Sequence, residues 1–292
     1  MPPNAAKSGS SSHARASKAR LEQQRRQRQR MILALVAFAA VIAVVVVLVV
    51  VKASQNKTSV ATAPPPGSAS PSLAPTTVVD NLAAIPVADL AAAAKSGLAV
   101  APKALTAPPP PGQTDKPEVF YVGAEFCPYC AAERWAVVTA LAKFGQFKNL
   151  GQTHSASGDV DPNTPTFSFY GASYTSPYLA FSAVEQTTNQ RQGSGYAPLQ
   201  SLTSAQQDYV SKYGNGGIPF VSLASKFVVS TQYDPAILQG KTFDAVAADA
   251  TNPATTIGKS FQAAAGVLVG DLCQLTNAQP AAVCSAFSGT GG

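Results

Sequence analysis

The sequence predicts an α/β domain over residues 118–292, because three segments carry clear secondary-structure patterns. The apolar run 119–122 is typical of a buried β-strand, and apolar residues at helical spacing follow it over 131–144. A second apolar run, 220–223, has a hairpin partner at 227–229. Near the C-terminus, apolar residues fall on one helix face: Ile257, Phe261, Ala264, Leu268 and Leu272.

Two more strands are expected, at 166–170 and 178–184. They lie within or beside a long insertion, 155–214, which is rich in Tyr, Ser, Gly and Gln and has a glycine-containing break at 193–196. Tyrosine is frequent at interfaces and also in sheets, so the insertion favours a binding surface only weakly. The tyrosines concerned are Tyr170, Tyr174, Tyr178, Tyr196 and Tyr209.

The N-terminal third predicts a membrane anchor. Residues 31–51 are 21 uncharged residues dominated by Val, Ala, Leu and Ile, and as a helix they would span about 31 Å, enough for a bilayer core. Eight Lys and Arg residues and one acid precede this run. The positive-inside rule then places residues 1–30 in the cytoplasm and the remainder outside, at the cell membrane. A cleaved signal peptide is the alternative, but its apolar region would be shorter.

The formal net charge of +6 does not indicate a nucleic-acid partner. Beyond residue 30 the chain has 13 basic and 14 acidic residues, so the positive charge belongs to the N-terminal tail. It is therefore a topology signal, and DNA or RNA binding is not expected.

Residues 52–117 are expected to form a linker rich in Pro, Ala and Ser, because its first part, to about residue 80, holds too little apolar surface to order itself. One short helix is predicted within the linker at 86–95, before Gly97. The helix either packs on the domain or remains part of the linker.

The motif Cys127-Pro128-Tyr129-Cys130 stands at the predicted strand-to-helix junction. A sulfur at a helix N-terminus gains from free N–H groups and from the positive end of the dipole, which favour a thiolate. A second sulfur one turn later is close enough to attack a mixed disulfide formed by the first. Pro128 suits the first helical position. The motif therefore predicts a thiol–disulfide redox centre; half of a zinc site and a purely structural bridge are the alternatives.

The other two cysteines, Cys273 and Cys284, favour a structural disulfide beside the C-terminal helix, with a second redox pair as the alternative. Ten residues separate them, too many for a zinc knuckle, and the two histidines, His13 and His154, complete no metal-ligand pattern. No metal is expected.

Pro219 follows Gly217-Ile218 and precedes the run 220–223. The order of strand, CxxC at a helix start, and a later proline before a strand and hairpin resembles the thioredoxin superfamily, over roughly residues 118–284. The resemblance implies a thioredoxin-like fold with an insertion, and a cis bond at Pro219 facing the sulfurs. An ordinary trans proline that starts an edge strand is the alternative. With the predicted anchor and the phrase at 123–135, GAEFCPYCAAERW, the chain is more narrowly similar to a membrane-anchored thioredoxin-like family of unknown function from actinobacteria and some archaea.

The sequence departs from thioredoxin itself at two positions. Tyr121 stands where thioredoxin has a buried acid, and Phe126 stands where it has a tryptophan. Glu125 is expected to be a solvated loop acid, although it would raise the pKa of the Cys127 thiol if close. Glu133 and Arg134 are expected at the surface, or in an ion pair near the site.

These observations predict an extracytoplasmic, membrane-anchored thiol–disulfide oxidoreductase. Cys127 is the nucleophile and Cys130 resolves the mixed disulfide, while Pro128, Tyr129, Ile218 and Pro219 shape the substrate groove. Expected partners are exported cysteine-containing proteins and a separate membrane redox protein for recycling, and no organic cofactor is implied. The competing hypothesis is a non-catalytic thioredoxin-like adaptor whose CPYC disulfide is structural.

Overall fold

The computed structural model describes residues 71–112 and 115–288. The predicted tail at 1–30, the predicted membrane helix at 31–51 and the first part of the predicted linker lie outside these residues. The protein is a mixed α/β structure with several sheets.

The helices alternate with strands along the chain. The helices are α1 (Thr76–Ala84), α2 (Val87–Ala94), α3 (Pro128–Ala142), α4 (Ser204–Gly214), α5 (Phe243–Ala250), α6 (Thr256–Leu275) and α7 (Ala281–Cys284). The strands are β1 (Ser72–Leu73), β2 (Lys103–Ala104), β3 (Glu118–Gly123), β4 (Gln146–Lys148), β5 (Gly151–His154), β6 (Pro165–Ser168), β7 (Ser173–Thr175), β8 (Ala180–Glu185), β9 (Thr187–Gln192), β10 (Gly195–Pro198), β11 (Phe220–Leu223) and β12 (Phe227–Val229).

The largest sheet has five strands in the order β2-β12-β11-β3-β8. Strand β3 pairs parallel with β8 on one side and antiparallel with β11 on the other, where Val122 lies opposite Phe220. The predicted strands at 119–122 and 220–223 and the hairpin with 227–229 are confirmed. Because β11 runs antiparallel to β3, the residues before Phe220 lie at the same sheet edge as the residues that follow β3.

The insertion forms smaller sheets beside this one. Strand β6 pairs with β5, β7 pairs with β4, and β9 and β10 make a hairpin. The predicted break at 193–196 contains the hairpin's turn, at Gly193. The insertion therefore contributes β8 to the large sheet, and its other strands, β6, β7, β9 and β10, form short antiparallel pairings before helix α4.

Helix α3 is buried on nearly all sides, although the sequence predicts it from a single apolar stripe. Trp135 is fully buried, donates its indole N–H to the Pro165 carbonyl at 2.9 Å, and contacts the rings of Phe167 and Phe243. Helix α6 covers another side of α3, as its predicted apolar face requires. The core thus surrounds the helix that carries the CPYC motif.

The structure differs from the sequence prediction at the linker. Helix α2 confirms the helix predicted at 86–95, whereas α1 is not predicted by the sequence. Both helices pack against the domain, with Leu82 and Leu90 fully buried. Strand β2 joins the edge of the large sheet through β12. Close approach explains this packing, since a Cβ added to Gly266 on α6 would lie 2.1 Å from the Leu90 carbonyl oxygen. The described part of the domain therefore begins well before residue 118.

Within 71–112 and 115–288, no single helix is long and apolar enough to cross a membrane. The consecutive helices α1 and α2 pass that test as a pair bent by 70°, on length and composition alone.

Candidate functional site

The CPYC motif occupies the first turn of α3. Cys127 is the N-cap residue, with extended backbone angles, and Pro128 takes the first helical position. The Cys130 backbone N–H donates to Cys127 Sγ, with a nitrogen-to-sulfur distance of 3.3 Å. Strand β3 ends shortly before the motif, and the buried helix α3 fixes the direction of the turn. The Cys127 sulfur is therefore a capping acceptor at a helix N-terminus.

The two thiols differ in environment, although both are free cysteines and both are buried. Cys127 retains 5% exposure, whereas Cys130 has none. The hydrogen bond from the Cys130 side chain, together with backbone N–H groups, lowers the pKa of Cys127 to about 7 despite its burial. Burial raises the pKa of Cys130 well above its usual value, and the hydrogen bond to Cys127 adds to this. Cys127 is thus the thiol of the pair that ionises more readily, at a pH near neutral.

The four residues predicted to form a substrate groove lie on two elements. On the CPYC turn, Pro128 is buried and Tyr129 is 43% exposed. Ile218 and Pro219 precede β11, and the bond between them is cis, as the sequence predicts. These two residues line a cavity of about 280 Å³, which Lys103 and Gln232 also line.

Three charged residues that the sequence places in solvent are buried. Glu125 is 2% exposed and accepts a hydrogen bond from Ser168 Oγ at 2.6 Å, so the solvated-loop expectation is wrong. Glu133 and Arg134 have no exposure, so the expectation that they lie at the surface is wrong as well. Both sit on α3, which is enclosed on nearly every side, and partners from distant segments accommodate them.

Arg134 forms an ion pair, but with Glu185 and not with Glu133. Its guanidinium donates to both carboxylate oxygens of Glu185, Nε to Oε1 at 2.8 Å and Nη2 to Oε2 at 2.7 Å. The same Nη2 donates to the Ala124 carbonyl at 2.8 Å, in the loop before Cys127. Sequence reasoning missed Glu185, whose one available signal was its position at the end of the apolar run 178–184.

Glu133 faces the opposite way from Arg134. Its Oε2 accepts from the Gln232 backbone N–H at 3.1 Å, and neighbouring Tyr233 donates its hydroxyl to the Ala132 carbonyl. Burial raises the pKa of Glu133 to about 8. Adjacent residues of one helix therefore differ in charge state, since Arg134 is ion-paired whereas burial favours the neutral form of Glu133.

Tyr121 of β3 is close enough to the motif to interact electrostatically with both cysteines. It is fully buried, and its hydroxyl has no hydrogen-bond partner among the described residues. The ring lies 5.8 Å from the Arg134 guanidinium. Gly123 leaves the room for it, because a Cβ there would meet the Tyr121 hydroxyl at 2.2 Å. Burial raises the pKa of Tyr121 well above its usual value, so the side chain is a neutral phenol.

The insertion reaches the site through an aromatic stack. Phe126, immediately before Cys127, stacks on Tyr196 of β10 with ring centroids 4.2 Å apart and planes 7° apart. The Arg191 guanidinium lies over the Tyr196 ring, 4.5 Å from its centroid. Sequence analysis named Tyr196 only as one of several tyrosines, and nothing in the local pattern singles it out.

The remaining cysteines lie apart from this site, at the end of α6. Cys273 and Cys284 form a disulfide that ties α6 to α7. Within the described ranges, no group of three or more His, Cys, Asp or Glu side chains is arranged to hold a metal ion.

The comparisons with known proteins give a family and no function. No curated protein and no solved structure shows significant similarity to the chain. One family model matches residues 110–268, which include the CPYC turn, the insertion, the cis-proline loop and most of α6. The matched region is more than half of the 292 residues. The chain therefore belongs to the family described as domain of unknown function DUF929.

Proposed function

We propose that this protein is a thioredoxin-like thiol–disulfide oxidoreductase, anchored in the membrane by residues 31–51, that acts outside the cytoplasm on cysteines of exported proteins. The asymmetry of the CPYC pair carries the proposal. Cys127 caps α3 and has a pKa lowered to about 7 by hydrogen bonds, whereas the pKa of Cys130 is raised by burial. A nucleophilic thiolate beside a protonated resolving thiol is what two-step disulfide exchange requires.

The reaction follows from these two states. The Cys127 thiolate attacks a substrate disulfide, forms a mixed disulfide, and releases one substrate sulfur as a thiolate. Cys130 then loses its proton and attacks Cys127 Sγ, which closes the Cys127–Cys130 disulfide and releases the second substrate sulfur. Two electrons pass from the pair to the substrate, and the released thiolates take up protons. In the opposite direction the oxidised pair accepts two electrons from a substrate dithiol.

The order of elements supports the thioredoxin-like assignment. Strand β3 leads directly into CPYC and α3, and β11 with its hairpin partner β12 pairs antiparallel beside β3. Ile218–Pro219 is cis and stands one residue before the position opposite Val122. Strand order therefore brings the proline loop and the CPYC loop to one sheet edge.

The groove is assigned to that edge. Tyr129 offers an exposed aromatic side chain on the CPYC turn, and Ile218 and Pro219 line the cavity of about 280 Å³. Pro128, at the first position of α3, fixes the turn between Cys127 and Tyr129. The lining of this cavity does not include Tyr129 or either CPYC cysteine, so the proposed groove extends from the cavity along the sheet edge to the CPYC turn.

The location and partners are proposed from the sequence. The cationic tail before residue 31 favours a cytoplasmic N-terminus, and the Cys273–Cys284 disulfide suits an oxidising compartment. A single anchor carries no electron acceptor of its own. A separate membrane thiol–disulfide protein is therefore proposed to restore the CPYC pair after each turnover.

The redox equilibrium of the CPYC pair tests the function. The full-length chain in detergent is equilibrated in glutathione buffers of graded ratio, and free thiols are then alkylated and counted. A Cys127–Cys130 couple that exchanges reversibly supports the proposal, and its potential distinguishes an oxidase from a reductase. A matched variant, Cys127→Ser/Cys130→Ser, reports any exchange at Cys273–Cys284. A pair that never equilibrates with glutathione in the folded protein contradicts the proposal.

The adaptor hypothesis remains as the second candidate because both CPYC thiols are buried and the insertion stacks on the motif through Phe126 and Tyr196. An adaptor predicts that the Cys127→Ser/Cys130→Ser variant retains partner binding in full. An oxidoreductase predicts that its disulfide-linked complexes vanish in that variant.

A further inference from the structure

Arg134 and Glu185 form a buried ion pair next to the CPYC motif. The two-step exchange described above does not use this pair. Both side chains have no exposure, and the guanidinium holds the carboxylate through two hydrogen bonds. A third bond, to the Ala124 carbonyl, attaches the guanidinium to the loop before Cys127. A buried ion pair is weak evidence for stability alone, because desolvation offsets much of its attraction.

The geometry directs this cation toward Cys130. Arg134 follows Cys130 by four residues on α3, so their side chains lie on one helix face, about 5–6 Å apart at Cβ. The Ala124 backbone, to which Arg134 is bonded, also hydrogen-bonds Cys130. The guanidinium is thus held between Glu185 on β8 and the loop that touches the resolving sulfur.

Two donors at this point are unused in the resting site. Arg134 Nη1 and the Tyr121 hydroxyl are buried, and neither has a hydrogen-bond partner among the described residues. Buried donors without partners are costly unless something compensates them. Preorganised donors and charges in a dry site are most effective where negative charge develops during a reaction.

We propose that Arg134, held by Glu185, is a positioning residue that stabilises the Cys130 thiolate during resolution of the mixed disulfide. This inference rests on the proposed function. In the step concerned, Cys130 gives up its proton, its sulfur bonds to Cys127 Sγ, and the bond from Cys127 to the substrate sulfur breaks. The substrate leaves as a thiolate and takes up a proton, so no further reactant is needed. Arg134 supplies the positive charge at the moment when Cys130 is ionised.

The electrostatics of the neighbouring groups agree with this role. Burial and the adjacent Cys127 raise the pKa of the Cys130 thiol, whereas Arg134 and the Ala124 backbone lower it. The other titratable groups facing the cluster are Tyr121 from β3, Glu185 from β8, and Glu125, which His154 faces in turn. Burial raises the pKa of both Glu125 and Tyr121, so both side chains shift toward their neutral forms.

The resolving step is measured directly with Ellman's reagent. One equivalent added to the reduced full-length chain reacts with Cys127 in a first phase, which releases one coloured thionitrobenzoate and leaves the other half of the reagent on Cys127 as a colourless mixed disulfide. Attack by Cys130 on this mixed disulfide releases the second coloured thionitrobenzoate in a second phase. The rate of the second phase is recorded against pH. Because loss of one partner of a buried pair risks unfolding, the main variant removes both charges, as Arg134→Met/Glu185→Leu.

If Arg134 acts on Cys130, the double variant shows a second phase about tenfold slower at neutral pH, because Cys130 then ionises less readily. Its pH midpoint moves upward, while the first phase changes less, because Cys127 keeps its hydrogen bonds from α3. Arg134→Lys retains the positive charge, so the pH midpoint of its second phase should lie closer to that of the wild type than to that of the double variant. Glu133→Gln is the matched control, since Glu133 is equally buried on the same helix but faces Gln232; its midpoint should equal that of the wild type.

The outcomes separate the inference from the proposed function. A wild type with no second phase at any pH contradicts the oxidoreductase itself. A wild type that resolves normally, with a folded double variant whose second phase has the same midpoint and rate, overturns the role of Arg134 and leaves the oxidoreductase standing. An equal shift in the Glu133→Gln control overturns it too, because the effect would then not depend on proximity to Cys130.

Discussion

The Cys130 backbone N–H lies 3.3 Å from Cys127 Sγ, so the second cysteine of the motif supports the first from the helix backbone as well as from its side chain. The backbone bond survives any side-chain substitution at position 130. The hydrogen bond from the Cys130 side chain has the largest effect on the pKa of Cys127, and it is lost when that side chain is replaced by one without a donor. This relationship makes the two positions of the motif separable by mutation.

Cys130→Ala should accumulate mixed disulfides with exported proteins, whereas Cys127→Ala should accumulate none. Cys127 retains its capping position and backbone hydrogen bond, and nothing releases the substrate attached to it. Cys130→Ser keeps a hydroxyl donor and should trap faster near neutral pH than Cys130→Ala. Non-reducing gels of membrane fractions measure the adducts, with reductant-treated samples as the control. Equal trapping by the Cys127 and Cys130 variants would reverse the assignment of roles.

Glu133→Gln should change how stability depends on pH. The folded-state pKa of Glu133 is raised to about 8 from an ordinary value of 4.5, so between these values the folded state binds more protons than the unfolded state. Stability from the buried neutral carboxyl is complete below about pH 4.5 and is lost as pH rises toward about 8. The glutamine variant lacks this loss, and should gain more than about 1 kcal/mol relative to the wild type between those limits.

Urea unfolding at pH 5 and pH 8 measures this difference, with the midpoint and slope fitted at each pH. If the free energy of unfolding changes by the same amount between pH 5 and pH 8 in the variant and in the wild type, Glu133 is ionised in the folded protein.

Removing the Cys273–Cys284 disulfide should lower stability without stopping the redox reaction. The two residues are separated by 11 positions, and closing a loop of this size is worth about 3 kcal/mol in the chain-entropy account. Cys273→Ala/Cys284→Ala should therefore melt several degrees lower, with insulin reduction per folded molecule unchanged. Loss of turnover in a variant that is still folded would instead indicate electron relay between the two pairs.

Gly266→Ala should loosen α2 from the domain. The added Cβ would lie 2.1 Å from the Leu90 carbonyl oxygen, which is backbone and cannot rotate away. A loss of about 2 kcal/mol is expected, with faster proteolysis of residues 71–104. Gly270→Ala on the same helix is the control, because its nearest new contact is the side chain of Phe287 at 3.3 Å. If both variants have the same stability and cleavage pattern, α2 is not held by this contact.

Reporter fusions test the proposed topology, which depends on the eight cationic residues before residue 31. A reporter that works only after export should be active when fused after Val60, and one that works only in the cytoplasm should be inactive there. Moving the cationic residues behind the apolar run should weaken this bias. Activity of the cytoplasmic reporter at Val60 would contradict the proposed orientation.

Local pattern was sufficient for much of the fold. The strand at 119–122, the CPYC turn, the strand 220–223 with its hairpin partner, and the face of α6 each follow from neighbouring residues, and the structure has them close to where the sequence places them. Pro128 at the first helical position and Cys127 at the N-cap are likewise consequences of local geometry. Segments whose conformation depends on residues a few positions away can be predicted from those residues.

The sequence by itself determined the place of the CPYC motif at a helix start, because that place depends on neighbouring residues. Only the tertiary structure decided which charges are buried around it. Arg134 is accommodated by Glu185, 51 residues away, and Glu133 by Gln232, 99 residues away. In the same way, α2 belongs to the domain because α6, far along the chain, offers a glycine where α2 crosses it, and α1 belongs to it because it packs on α3. A charged or alanine-rich segment resembles surface or linker until its distant partner is known, since burial depends on what packs against a residue and not on its neighbours in sequence.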